Sequence, residues 1–372
     1  MTMTAPDPIT HLSDGRPRGR GLGLPFSAVC GPNNAITDVS GVTVGYCTLI
    51  AGQAIRTGVT AVFPRGRDDP FSPVWSGFYA LNGNGEITGV QWIEEAGWFI
   101  GPICLTNTHS VGMVHHASTR WLINHSHYQN TLYPWLLPVI SETCDAHLND
   151  INGLHITPEH VEAAFADAHA GPVQEGNVGG GTGMICYEFK GGTGTASRRV
   201  AIGAEQYTVG ALVQASFGRQ PQLTICGVPV GRYLPDPSLW PSEQGSIVVL
   251  LATDAPLLPI QLKRMARRAA LGVGRTGTPS GNGSGDFMLA FSTAQAAAQT
   301  EQAWPALSFV PHELLDPLFL AVVESVEESI INALIAAETM TGKNGNTVHA
   351  LDHRQLLDVM GKHQALVTRG VI

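Results

Sequence analysis

The sequence predicts an α/β (α+β) fold in which two sheets pack face to face and helices cover them from outside. Three observations lead there. Strand-like segments come in two blocks, helix-like segments come in two blocks, and strand-rich stretches lie on both sides of a proline-rich connector. The blocks fit stacked sheets better than a strictly alternating βαβ chain. The third observation joins both halves of the 372 residues into one domain, 21–372, behind a polar arm at 1–20 that is expected to be mobile.

The elements follow in order. Val42, Val44 and Tyr46 alternate within 34–50, the period of a strand, and 58–64 reads as a second one. Residues 74–95 read as a hairpin around Asn82-Gly83-Asn84-Gly85, because Asn and Gly tolerate positive φ. An apolar strand follows at 101–108. The period then changes: Val111, Val114, Ala117, Trp121 and Leu122 place a helix over 111–124. Thr157-Pro158-Glu159 opens another helix, which ends before Gly171-Pro172. Residues 176–216 return to strands with glycine-rich turns, and 231–245 hold the prolines of an exposed connector. The apolar run 246–253 suits a buried strand, and Asp254 is placed to cap a helix over 257–271. A strand at 286–292 and a long helix at 312–340, stopped by Gly342, complete the chain. No internal repeat is visible.

Composition narrows the function classes. Charged residues make up only 14%, which argues against disorder and coiled coil and leaves much surface to be covered between subunits. The net charge of −9 disfavours nucleic acid, whose phosphates select basic surfaces. The basic group Lys263, Arg264, Arg267 and Arg268 reads as one solvated helix face. The six cysteines are scattered without a CxxC pair, so neither a disulfide scaffold nor a thiolate metal site is expected. Adjacent His115 and His116 point to different sides of a helix, and no metal or other cofactor is expected. No apolar run reaches the roughly 18 residues of a membrane span, and Met1 to Gly21 lacks an apolar signal core, so the expected compartment is the cytoplasm. Gly179-Gly180-Gly181-Thr182-Gly183 lacks the lysine of a phosphate loop and reads as close packing beside a site.

The pair Gly245-Ser246 stands where the connector meets the buried strand. By itself it reads as a turn glycine and a polar residue starting a strand. The second reading is chemical. A serine opening a strand becomes a new N-terminus if the bond before it breaks, and its own α-amine, with a pKa near 7.7–8.0, can then serve as the base that a serine hydroxyl needs. Glycine before it removes side-chain bulk and permits a strained carbonyl.

Five further segments occur in an ordered series: Asn34-Ala-Ile-Thr-Asp38, Leu81-Asn-Gly-Asn-Gly-Glu86, Thr106-Asn-Thr-His-Ser-Val-Gly112, Gly176-Asn-Val-Gly-Gly-Gly-Thr-Gly-Met184 and Ala336-Ala-Glu-Thr-Met-Thr-Gly342. Together, over about 17–355, they resemble the L-aminopeptidase/D-esterase family (DmpA type), which includes the β-aminopeptidases. The resemblance implies a self-processing N-terminal-nucleophile serine hydrolase with an αββα sandwich. The precursor would cut itself between Gly245 and Ser246 into a large chain, 1–245, and a small chain, 246–372. The two would stay together and form a homo-oligomer, a tetramer of cleaved protomers. Ser246 would be the nucleophile. Ser284 and Asp286, from Ser284-Gly285-Asp286, would handle protons around it. Glu142, in Ser141-Glu-Thr-Cys-Asp145, is similar to a family glutamate that anchors the free ammonium of the substrate.

Two positions depart from the family pattern. Cys144 stands where the family has tyrosine, and Ser216, in Leu212-Val-Gln-Ala-Ser-Phe-Gly218, stands where it often has an oxyanion-hole asparagine. The expected function is hydrolysis of short peptides, amino-acid amides or esters, including β-amino acyl groups, through an acyl-enzyme on Ser246. Two other readings stay open: an oligoamide hydrolase or acyl transferase on the same scaffold, and a catalytically weak binding scaffold. Neither nucleic acid nor membrane is an expected partner.

Overall fold

The structure is a computed structural model and describes residues 6–125, 128, 135–235, 239–243, 245–294 and 306–366. In chain order the elements are β1 (Thr43–Ala51), β2 (Ile55–Phe63), β3 (Val74–Gly83), α1 (Val90–Ala96), β4 (Trp98–Phe99), β5 (Ile103–Asn107), α2 (Val111–Asn124), β6 (Val139–Thr143), α3 (Pro158–Ala166), β7 (Ile185–Cys186), β8 (Phe189–Lys190), β9 (Gly192–Ile202), β10 (Glu205–Ser216), β11 (Ser246–Thr253), α4 (Pro259–Arg275), β12 (Gly285–Ser292), α5 (Asp316–Ile335), β13 (Met340–Thr341), β14 (Thr347–Val348) and α6 (His353–Lys362).

Two large sheets form, ordered β1-β2-β5-β6 and β4-β3-β12-β11-β10-β9. Their facing sides share one core, in which Val44, Val62 and Leu105 of the first meet Leu212, Leu250 and Leu289 of the second. The outer face of the four-stranded sheet packs Ala61, Phe63 and Ile140 against Val114 of α2 and Phe165 of α3. The outer face of the six-stranded sheet packs Val249 and Leu251 against Met265 of α4 and Ile330 of α5. The layers are therefore αββα, as expected. β11 explains its own sequence: Val248, Leu250 and Ala252 face the other sheet while Ile247, Val249 and Leu251 face the helices. Apolar cover on both sides turns the usual alternation into a continuous run.

Three local expectations change. Residues 74–95 are no hairpin: β3 pairs antiparallel with distant β12 and with short β4, and α1 fills the segment after the turn. An Asn-Gly turn reports a bend and not the partner of the strand before it. Asp254 caps no helix. Its Oδ1 accepts from Thr208 N at 2.7 Å, and α4 opens at Leu258, whose N–H meets Gln261 Oε1 at 2.9 Å. The last long helix is shorter than 312–340, because His312–Leu314 is a separate 3₁₀ turn and Met340 enters a strand.

The segment expected as a mobile arm is anchored over its described part. Arg18 is 2% exposed; its guanidinium meets Glu175 at 2.8 and 3.0 Å and the carbonyls of Pro8, Asn33, Asn34 and Thr195. Arg20 meets Glu328 of α5 at 2.8 Å. Composition marked this stretch as polar; it could not show that its arginines have buried carboxylates to meet.

Candidate active site

β11 and β12 lie side by side and parallel, with Ile247 opposite Asp286. That pairing sets Ser246 beside the Ser284-Gly285-Asp286 segment, and Gly285 N donates to Ser246 Oγ at 3.0 Å. On the other side of β11, Ser246 is the cross-strand partner of Ser216, the last residue of β10. Gly245 has φ +126°, and a Cβ there would run into the Ser216 carbonyl oxygen. Only glycine fits at this junction.

Asp286 is buried beside the serine. Ser284 Oγ donates to its Oδ1 and Ser280 Oγ to its Oδ2. Burial pushes its carboxyl above the usual aspartate range, while the two hydroxyls pull it back.

A cleft of about 460 Å³ opens over this junction, lined by Cys144, His147, Ser216, Trp240, Glu243 and Gly245 among others. Trp240 and His147 meet edge to face, with ring centroids 5.6 Å apart. Ser216 Oγ accepts from Ile185 N at 3.4 Å. Glu243 Oε1 accepts from Thr278 Oγ1 at 2.7 Å. Cys144 is exposed, and burial of its sulfur region still pushes the thiol upward, away from thiolate.

Glu142 belongs to β6 of the other sheet and is 3% exposed. Its Oε1 accepts from Glu86 N at 3.0 Å and its Oε2 from the Thr108 hydroxyl. Burial raises its carboxyl, against those two hydrogen bonds. The loop 84–86 links both sheets, since Asn84 N also donates to Ser284 O at 3.2 Å. Beneath lies the glycine-rich turn, which packs as expected: a Cβ on Gly180 would collide with Gln214 Oε1.

Gly245, Ser216 and Cys144 thus line one cleft; Ser246, Ser284 and Asp286 adjoin it through the Gly285 N–Ser246 Oγ and Ser284–Asp286 contacts, and Glu142 is joined through the 84–86 loop. Sequence reasoning missed Thr108, Ser280, Trp240 and Glu243. Thr108 sits inside a motif already singled out. Ser280 lies in a run of Ser, Thr and Gly whose members look alike before folding.

Comparison with known proteins agrees with this geometry. The model of peptidase family S58 matches residues 34–348. The β-peptidyl aminopeptidase BapA of Sphingosinicella microcystinivorans is 47% identical, over 94% of this chain and 93% of its own. The solved structure of the L-aminopeptidase D-Ala-esterase/amidase from Ochrobactrum anthropi, described as a prototype serine aminopeptidase and a variant of the N-terminal-nucleophile hydrolase fold, superposes with TM-score 0.90 at 49% identity, covering 95% of this chain and 100% of that one. A β-aminopeptidase from Burkholderia sp. superposes with TM-score 0.85 at 45% identity, over 93% and 98%. The chain belongs to peptidase family S58 and is a serine aminopeptidase of the N-terminal-nucleophile hydrolase fold.

Proposed function

We propose that the chain cuts itself between Gly245 and Ser246 and then uses Ser246 to release amino-terminal residues, β-amino acyl groups included, from short peptides, amides and esters. The observation that carries this reading is the junction itself: a serine opening a buried strand at a cleft, after a glycine at φ +126°, beside a hydroxyl–carboxylate pair. In the cut, Ser246 Oγ bonds to the Gly245 carbonyl carbon, the C–N bond breaks, and the hydroxyl proton passes to the departing amine. Water splits the resulting ester into the Gly245 carboxylate and a free Ser246 hydroxyl.

With substrate the same atoms act again. The α-amine of Ser246 takes the hydroxyl proton as Oγ attacks the acyl carbon, then hands it to the leaving amine. Water frees the acyl group. Ser284 and Asp286 hold the proton path next to that amine. Ser216 receives the Ile185 N–H, which leaves its own hydrogen for the developing oxyanion. Glu142 takes the substrate ammonium in a charge-assisted pair, which favours the ionised form that burial opposes. Cys144 in place of a bulkier side chain leaves the cleft room for a larger acyl group. Exposed Ile260, Leu271 and Leu320 on α4 and α5 support assembly of cleaved protomers into a homo-oligomer, a tetramer on the family pattern.

The test is a panel of α- and β-amino acyl p-nitroanilides, each with its N-acetylated twin. The reading predicts release from the free amines and little from the acetylated forms. Equal rates on both would remove Glu142 as the anchor and favour the oligoamide hydrolase.

A further inference from the structure

Asp286 is one methylene shorter than glutamate, and a short carboxylate beside a nucleophile must be held by something. Its Oδ1 takes the Ser284 hydroxyl; its Oδ2 takes the hydroxyl of Ser280. Ser280 is unusual. It is a non-glycine residue at φ +62°, in the left-handed region. Contacts with Thr278 and Asn82 hold it there. Thr278 Oγ1 accepts from Ser280 N at 2.9 Å, and Asn82 Nδ2 donates to Ser280 Oγ at 3.0 Å and to the next carbonyl, Gly281 O, at 2.9 Å, with Ser280 O farther off at 3.2 Å. The contact with Oγ fixes a direction. Because the amide of Asn82 donates to Ser280 Oγ, the single hydroxyl hydrogen of Ser280 is free to point at Asp286. Asn82 is also the cross-strand partner of Asp286 between β3 and β12. The Asn-Gly-Asn-Gly turn therefore begins with a residue that orders the site from behind.

We infer that Ser280, oriented by Asn82, is a positioning residue that locks one oxygen of Asp286 so that the other stays aimed at Ser284 and the nucleophile. This rests on the proposed role of Asp286. The strained backbone at Ser280 is the second observation: a serine kept where glycine is preferred has a hydroxyl that the site uses. The ionisable groups around the carboxylate are Glu243 of the connector, reached through Thr278; Tyr187, whose hydroxyl accepts from Thr278 N; Glu86 and Glu142 across the 84–86 loop; and the Ser246 amine once the chain is cut.

Ser280→Gly separates chemistry from folding, because glycine accepts φ +62° without strain. Each hydrogen bond to an ionised carboxyl lowers its pKa, so losing this one moves the more acidic inflection of kcat/KM, below that of the Ser246 amine, upward on the order of one pH unit. The melting temperature stays level or rises. A Ser280→Gly protein that folds with that melting temperature but fails to cut itself also supports the role, since a purely structural serine would be replaceable by glycine. Wild-type rate, processing and pH profile in Ser280→Gly, with Asp286→Asn impaired, overturns the inference alone. Full activity in Asp286→Asn overturns the role of Asp286 and the inference with it.

Discussion

Replacing Glu142 by glutamine removes one charge and almost no volume. The structure tells what the change leaves behind. The carboxylate accepts Glu86 N–H at 3.0 Å on Oε1 and the Thr108 hydroxyl on Oε2. Glutamine can keep its oxygen on Glu86 N, and the Thr108 hydroxyl can turn to accept from the new amide. The fold should tolerate Glu142→Gln, and its melting temperature should stay within a few degrees of wild type. Substrate binding should not. A hydrogen bond to a charged group contributes about 1.5–3 kcal/mol, and about 1.4 kcal/mol is a factor of ten. At 3% exposure the carboxylate is barely screened by water, which favours the upper part of that range. For a free-amine anilide, kcat/KM should fall roughly 10- to 150-fold, carried mainly by KM if the ammonium pair is equally strong in ground and transition states. The acetylated twin, having no ammonium, should change little. Steady-state kinetics on both substrates reads the difference. A properly folded Glu142→Gln enzyme within twofold of wild type on the free amine would refute the anchoring argument.

Two further predictions concern stability. Asp145 is 1% exposed and burial pushes its carboxyl up to about 7. Between the unfolded value of about 3.9 and that folded value, the folded state keeps a proton that the unfolded state has lost, so stability falls as pH rises, by up to about 1.4 kcal/mol per unit from this group. Urea unfolding at pH 5 and pH 7 should show wild type losing more than Asp145→Asn over that interval; parallel losses would sink the claim. Arg18→Met strands Glu175, which is fully buried, and should cost about 3–5 kcal/mol, with part recovered by adding Glu175→Gln. Unchanged denaturation midpoints in the single variant would show that the N-terminal segment is not anchored as described.

Much of the layer order could be read from residues. β11 is a continuous apolar run because both its faces are covered, α2 shows its 3.6-residue period plainly, and α3 announces itself by the Thr157-Pro158 opening. What could not be read is pairing at long range. Nothing in Val74–Gly83 names β12 as its partner, so the Asn-Gly turn suggested a hairpin. Asp254 looked like a cap because aspartate before a helix often is one, yet Thr208 from a neighbouring strand claims its oxygen first. The stretch 1–20 read as a polar arm because the acids that Arg18 and Arg20 meet lie more than a hundred residues away. Motif order singled out Ser246, Ser284 and Asp286, and departures singled out Ser216 and Cys144; folding brings the first three side by side at the end of β11 and sets Ser216 opposite Ser246. Thr108 and Ser280 meet the Glu142 and Asp286 carboxylates through hydroxyl contacts that only the folded chain displays.

The proposed chemistry requires Ser246 to become a new N-terminus. The intact mass of the purified protein tests it, with Ser246→Ala prepared alongside. Self-cleavage should give two chains for the wild type, residues 1–245 and 246–372, and one uncut chain for the variant. A wild-type protein that hydrolyses amino acyl anilides as a single uncut chain would contradict it, because Ser246 would then have no free amine to act as base.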